Sequence, residues 1–348
     1  MEYLSIITCF LFSISITPIV KKVALKINAV DVPEQRKVHD KIMPRLGGLA
    51  IYTSFVIGLL FLSPDSQYLL TIITGATVIM LVGVLDDVIG LSASMKLSGH
   101  IVAALIVVLS GLQIEFITIP FGPKVDFEIW GIPITILWIV GVTNAINLID
   151  GLDGLAAGIA AIALITISGM ALFMGNVVVA ILGLMLLGST LGFLIYNFYP
   201  AKIFLGDTGS YFLGFMISVL SILGLYKNVT VFSLIVPIII LGVPIVDTFF
   251  AIVRRFIQGK PLHSPDKAHL HHSLIKLGFT HRQTVLILYT MSGIFSLAAI
   301  VFTRGTMWGS TIVMILLAIL IELTVEITGL VSHNYRPVLN LIGIKNKQ

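Results

Sequence analysis

The chain has 348 residues, of which 57% are hydrophobic and 11% charged, with a mean hydropathy of +1.07. Soluble domains carry about 25% charged residues, so an ordinary globular fold is excluded, and a formal net charge of +4 is too small to argue for a nucleic-acid partner. Cys9 is the single cysteine, so no internal disulfide can form; it lies in the first apolar stretch as a packing residue.

The first segment, Tyr3 to Val20, has no basic residue before it and Lys21, Lys22 and Lys26 after it. A cleaved signal peptide has the reverse order of charge, so this segment reads as a retained membrane helix with its amino terminus outside. A membrane helix needs roughly 20 mostly apolar residues. Eleven candidate spans follow in chain order, at 3–24, 46–63, 68–85, 97–112, 132–149, 154–174, 177–195, 209–226, 230–252, 284–303 and 307–330. Most connecting loops are short, which predicts an all-α polytopic membrane protein forming one domain over 1–348. Of the 21 Lys and Arg, only Lys124, Lys227 and Arg304 then fall outside. That bias places the amino terminus outside and the carboxyl terminus in the cytoplasm. The one long outer loop, 113–131, alternates apolar residues (Ile114, Phe116, Ile119, then Val125, Phe127, Ile129) around Gly122-Pro123, which predicts a small external β-hairpin.

Acidic residues at membrane depth are costly and mark function by default. Here most of them gather at the inner helix ends. Asp86 and Asp87 end the third span, where two adjacent carboxylates face the negative pole of a helix dipole; a divalent cation or Lys96 would compensate them. Asn144, Asn147 and Asp150 recur at every third position on one face of the fifth span, and Asp153 follows the Gly151 break. A self-satisfied polar seam is the plainer alternative for that ladder. In Tyr196 to Ser210, YNFYPAKIFLGDTGS, Asp207 opens the eighth span, and taken alone it reads as an N-cap. A helix start is also an anion site, and Phe204 is an aromatic suited to stack on a base.

The inner loop 254–283 carries His269, His271 and His272 beside Arg254, Arg255, Lys260 and Lys267. Zinc is one reading of the histidines, but strongly basic surroundings suit an anion better. The loop after the first span, RKVHDKIMPRLGG from Arg36 to Gly48, adds cations that charge bias largely explains. Asp247 is an acid near a kink at Pro244, while Glu322 and Glu326 lie one turn apart in the last span, without a functional account. Acids able to hold Mg²⁺, a cationic histidine loop and an aromatic suggest a nucleotide diphosphate site at the membrane surface, with one soluble and one lipid substrate. Mg²⁺ binds through one or two carboxylates plus substrate phosphates, which suits dispersed Asp residues.

Six stretches, in order, carry a family resemblance: RKVH…PRLGG, LDD at 85–87, NAINLIDGLDGL at 144–155, IFLGDTGS at 203–210, PIVDT at 244–248 and HLHH at 269–272. With them the chain resembles the polyprenyl-phosphate N-acetylhexosamine-1-phosphate transferases, and its His-x-His-His form is similar to the branch using UDP-N-acetylglucosamine that initiates wall teichoic acid or related surface polymers. The resemblance implies transfer of N-acetylglucosamine 1-phosphate to undecaprenyl phosphate with release of UMP, at the cytoplasmic face of a bacterial plasma membrane, by a Mg²⁺-dependent homodimer in which Mn²⁺ can substitute. It further implies that Asp207 binds the metal, that Asp86 deprotonates or orients the lipid phosphate, and that Asp87 supports the metal or the nucleophile. Asn147, Asp150, Asp153 and Phe204 would hold the uridine end, and His269, His271 and His272 the sugar phosphate or diphosphate; Lys96 and Asn144 complete the substrate-binding set. The branch that transfers phospho-MurNAc-pentapeptide is the alternative within the family, and a secondary transporter or lipid flippase is the alternative outside it.

Overall fold

The computed structural model describes residues 2–32, 42–62, 64–118, 124–225, 234–261, 268–332 and 335–341. Arg36 to Lys41 of the basic loop, Ile119, the Gly122-Pro123 turn, Lys227 and Lys267 lie outside the described residues. The chain divides into two compact units, Met1–Leu234 and Ile235–Gln348.

The first unit contains α1 (Glu2–Lys26), a two-residue pairing of β1 (Val30–Asp31) with β2 (Met43–Pro44), α2 (Gly47–Leu62), α3 (Leu69–Ile89) and α4 (Ala93–Leu109). The predicted hairpin follows as β3 (Phe116–Thr118) antiparallel to β4 (Lys124–Asp126), and then come α5 (Gly131–Ile149), α6 (Leu155–Phe173), α7 (Val177–Asn197) and α8 (Gly206–Leu225). The β1–β2 pair went unforeseen, because two residues are too few to display a period. Eight helices among the described residues are long and apolar enough to cross a membrane, and Gly47–Leu62 and Ala93–Leu109 are shorter apolar helices.

The middle of the first unit is α8, which packs on α2, α3, α5 and α6. Its apolar window is 94% buried, against 28% for α1, so α8 is enclosed by protein and α1 lies at the periphery with most of its apolar surface outward. Tyr211, Phe212 and Phe215 on α8 are fully enclosed. Close approach is needed at its first turns: a Cβ on Gly48 of α2 would run into the backbone of Thr208 and Gly209, and one on Gly83 of α3 into Thr208. Backbone therefore packs on backbone there, and the start of α8 has little room to move.

The second unit contains α9 (Ile235–Ile240), α10 (Gly242–Ile257), α11 (Leu270–Lys276), α12 (His281–Arg304), α13 (Met307–Thr328) and α14 (Pro337–Leu341). The span expected over 230–252 is divided at Leu241. Pro244 has no N–H to offer the carbonyl of Ile240, and the ladder is interrupted there. Gly242 lets α10 begin against the ring of Phe295 on α12.

Candidate active site

Successive helices of the first unit run up and down, so α3, α5 and α7 end, and α2, α4, α6 and α8 begin, at one end of the bundle. The polar motifs meet there because they sit on those ends. A helix start leaves its first N–H groups unpaired, and at α8 these are buried. Asp87 satisfies them from α3: Asp207 N–H donates to Oδ1 at 3.0 Å, and Thr208 donates to Oδ2 through its N–H at 2.9 Å and its hydroxyl at 2.7 Å. Gly206 sits between with φ +73, and a side chain there would strike both Asp87 oxygens. The capping carboxylate of α8 thus comes from another helix. Asp207 is not the N-cap that its sequence context suggests: it lies within the first turn, and its own carboxylate takes a hydrogen bond at Oδ1 from Asn147 Nδ2, 2.7 Å away on α5. The same amide nitrogen donates to Ser210 Oγ at 3.0 Å.

Asp86, adjacent in sequence, is held by a different set. Lys96 Nζ lies 2.6 Å from Oδ2, Tyr211 donates its hydroxyl to Oδ2 at 2.8 Å, and Leu91 N–H donates to Oδ1 at 2.9 Å. Both acids are buried, at 5% and 6% exposure, so the pairing expected between Lys96 and the Asp86-Asp87 tip is specific to Asp86. The cation beside Asp87 is Arg45, with Nε 3.7 Å from Oδ1. Burial opposes the charge of that guanidinium, but Asp87, Asp31, Asp207 and Asp150 outweigh it and lift its pKa above the ordinary value.

The polar ladder of α5 separates into three jobs. Asn144 donates to Val140 O at 2.8 Å and lies 3.3 Å from His100 Nδ1 on α4, so it belongs to a buried seam; Asn147 orients Asp207. Asp150 ends the helix, and burial first, then the charges of Asp207 and Asp87, push its carboxyl up to about 8. Asp153 accepts Ala201 N–H at 2.9 Å and so pins the segment leading into α8 to the start of α6. Phe204 is half-buried in that segment; its N–H donates to Pro44 O at 2.9 Å and its carbonyl accepts Gly47 N–H at 3.0 Å, while Gly48 N–H donates to Leu205 O at 2.9 Å. These bonds zip PRLGG onto IFLGD and carry Arg45 to the carboxylates.

In the second unit, Asp247 on α10 accepts Leu270 N–H at 2.7 Å, and its other oxygen lies 2.8 Å from His269 Nδ1. The His271 ring is nearly parallel to that of His269, with centroids 6.0 Å apart, and lies 4.2 Å from that of His272. His271 is 2% exposed. Burial first, then His272, His269 and His281, push it down to about 3, so it is neutral at physiological pH. Glu326 is spent on α14, accepting Val338 N–H at 2.7 Å and Leu339 N–H at 2.8 Å.

Sequence reasoning passed over three residues of the first unit. Arg45 was discounted as part of a charge bias. His100 is 1% exposed on α4, and its signal was an ionisable residue inside an apolar span. Tyr211 stacks edge-on against His100, with centroids 4.5 Å apart, while holding Asp86; nothing in a tyrosine on an apolar helix distinguishes it beforehand.

Asp207 is the residue here that could contribute oxygens to a divalent cation. It offers an oriented carboxylate, and Asp87 and Asp150 lie close enough to add negative charge that a cation would offset. Among the described residues no three His, Cys, Asp or Glu side chains converge into a group that could hold a metal ion by themselves.

Residues 69–225, which include α3 to α8, match the family model described as glycosyl transferase family 4. The chain is 51% identical over 325 residues to the probable undecaprenyl-phosphate N-acetylglucosaminyl 1-phosphate transferase of Bacillus subtilis, covering 92% of this chain and 90% of that protein. It is 35% identical to the decaprenyl-phosphate N-acetylglucosaminephosphotransferase of Mycobacterium tuberculosis, covering 84% and 82%. It is 24% identical to the undecaprenyl-phosphate alpha-N-acetylglucosaminyl 1-phosphate transferase of Yersinia pestis, covering 86% and 84%. With its ordered motifs on the ends of a membrane helix bundle, this chain belongs to glycosyl transferase family 4, as a polyprenyl-phosphate N-acetylhexosamine-1-phosphate transferase.

Proposed function

We propose that this protein transfers N-acetylglucosamine 1-phosphate from UDP-N-acetylglucosamine to undecaprenyl phosphate at the cytoplasmic face of a bacterial plasma membrane, starting a surface glycan such as wall teichoic acid. The observation that carries this reading is the Asp207 carboxylate, oriented by Asn147 at a helix start that Asp87 caps, with Arg45 alongside. The names of the relatives support the sugar and the lipid, and the Lys and Arg bias supports the side of the membrane.

In the reaction an oxygen of the lipid phosphate forms a bond to the β-phosphorus of the UDP-sugar. The bond from that phosphorus to the bridging oxygen breaks, and the electron pair leaves with UMP. A phosphate monoester has its second pKa at about 6, so the nucleophile is ionised at pH 7 without a protein base. Catalysis then rests on position and charge. Asp207 would hold Mg²⁺, or Mn²⁺ in its place, and the bound ion would supply positive charge against the diphosphate. Asn147 keeps the Asp207 carboxylate aimed, and Asp87 keeps it in place by fixing the helix start. Lys96, anchored on Asp86, places a cation for the lipid phosphate, and Arg45 adds a second positive charge at the same end of the bundle. Asp150 meets the uridine end, and Phe204 stacks on the base. Asp153 acts indirectly, through the segment it pins. His269 and His272 meet the sugar phosphate, and the protein works as a homodimer.

Purified protein given UDP-N-acetylglucosamine, undecaprenyl phosphate and Mg²⁺ should release UMP. Competition with UDP-MurNAc-pentapeptide separates the two branches of the family, and turnover of the muramyl substrate alone would refute this choice.

A further inference from the structure

Asp247 is 1% exposed and carries no assigned role, yet both its oxygens are engaged, one by Leu270 N–H at the start of α11 and the other by His269 Nδ1. A carboxylate can only accept, so His269 carries a proton on Nδ1 and is left with Nε2 as its remaining polar atom. His271, two residues on, has a buried Nδ1 that is unpaired among the described residues. The three histidines of the motif are therefore chemically unequal. We propose that Asp247 is a positioning residue for His269: it holds the ring proton on Nδ1, fixes the ring's orientation, and so aims a bare Nε2, as a hydrogen-bond acceptor, at a hydroxyl of the sugar substrate, while His271 serves as a packing group. This rests on the transferase reading for the identity of the substrate, and on the geometry alone for the tautomer.

The two bonds to Asp247 make Asp247→Asn a selective test. Leu270 N–H can only donate, so it takes the amide oxygen and the helix cap survives. The amide nitrogen is then forced against His269 Nδ1, which must become an acceptor and move the ring proton to Nε2. Thermal stability should stay near that of the wild type, while turnover falls between about ten-fold and 10⁴-fold, the range for losing a partner that orients a histidine. Placed in a His269→Ala background, the same substitution should cost nothing further, because its route runs through the missing ring. An equal loss in both backgrounds would make Asp247 merely structural and overturn the proposal. Should Asp247→Asn not fold, the wild-type protein still decides: ¹⁵N spectra of histidine-labelled protein, with His269 assigned from His269→Ala, should show Nδ1 protonated at pH 7. A bare Nδ1 overturns the proposal. If the wild type releases no UMP the transferase reading fails, while the ¹⁵N result judges the Asp247–His269 pair independently.

Discussion

The start of α8 in the first unit and the start of α11 in the second use the same device with different divisions of labour. In each, an acid buried on another helix accepts a backbone N–H from a helix that begins in a polar motif. At α8 the cap and the displayed group are separate residues: Asp87 caps, and Asp207 is free to be oriented by Asn147. At α11 one residue does both, since Asp247 caps the helix and holds His269. Glu326 at α14 is the same device with no titratable group to display. Capping by a distant carboxylate thus recurs at three buried helix starts, and the proposed roles fall on two of them.

That comparison can be broken most directly at Asp207. Asp207→Asn should lower turnover by about 10³-fold or more while leaving the melting temperature unchanged, because it removes charge and leaves the cap intact; near-normal turnover at saturating Mg²⁺ would reduce Asp207 to a structural residue. Asp87→Ala should do the opposite in kind. Two buried N–H groups and a hydroxyl lose their acceptor, so we expect a loss of about 3 kcal/mol or more in stability, read by thermal unfolding in detergent, with activity falling alongside.

Lowering the pH should sharpen the contrast within the second unit. His271 has its folded pKa depressed below the unfolded value, so the unfolded chain binds the proton first, and stability present above about 6.5 is lost as the pH falls toward about 3. Hydrogen-exchange protection factors in 270–276, taken relative to the intrinsic rate at each pH, should fall over that window, and His271→Phe should flatten the response. The smallest effect is expected at Glu326→Gln: one of two capping acceptors is lost, about 1 kcal/mol, with UMP release unchanged. A clear loss of turnover there would show that α14 is more than structural.

Much of this was legible in the sequence. The apolar spans follow from the length needed to cross a bilayer, and the acids stand out because a carboxylate at membrane depth has no cheap reason to be present. Lys96 was named as a partner for the acidic tip, and spacing alone put Asn144, Asn147 and Asp150 on one face. Partnership was not legible. Asp86 and Asp87 are neighbours in sequence, but successive residues on a helix point about 100° apart, so one meets Lys96 and Tyr211 and the other meets α8 and Arg45.

Composition, charge bias and motif order by themselves determine that this chain is a helical membrane protein of its family with its polar motifs at helix ends, because those properties depend on what each residue is and how often it recurs. Which acid caps, which is displayed, and which histidine carries a carboxylate partner depend on contacts between residues far apart in sequence; Asp87 and Thr208 are separated by 121 positions. Such contacts exist only once the helices have packed and buried N–H groups have taken the acceptors within reach.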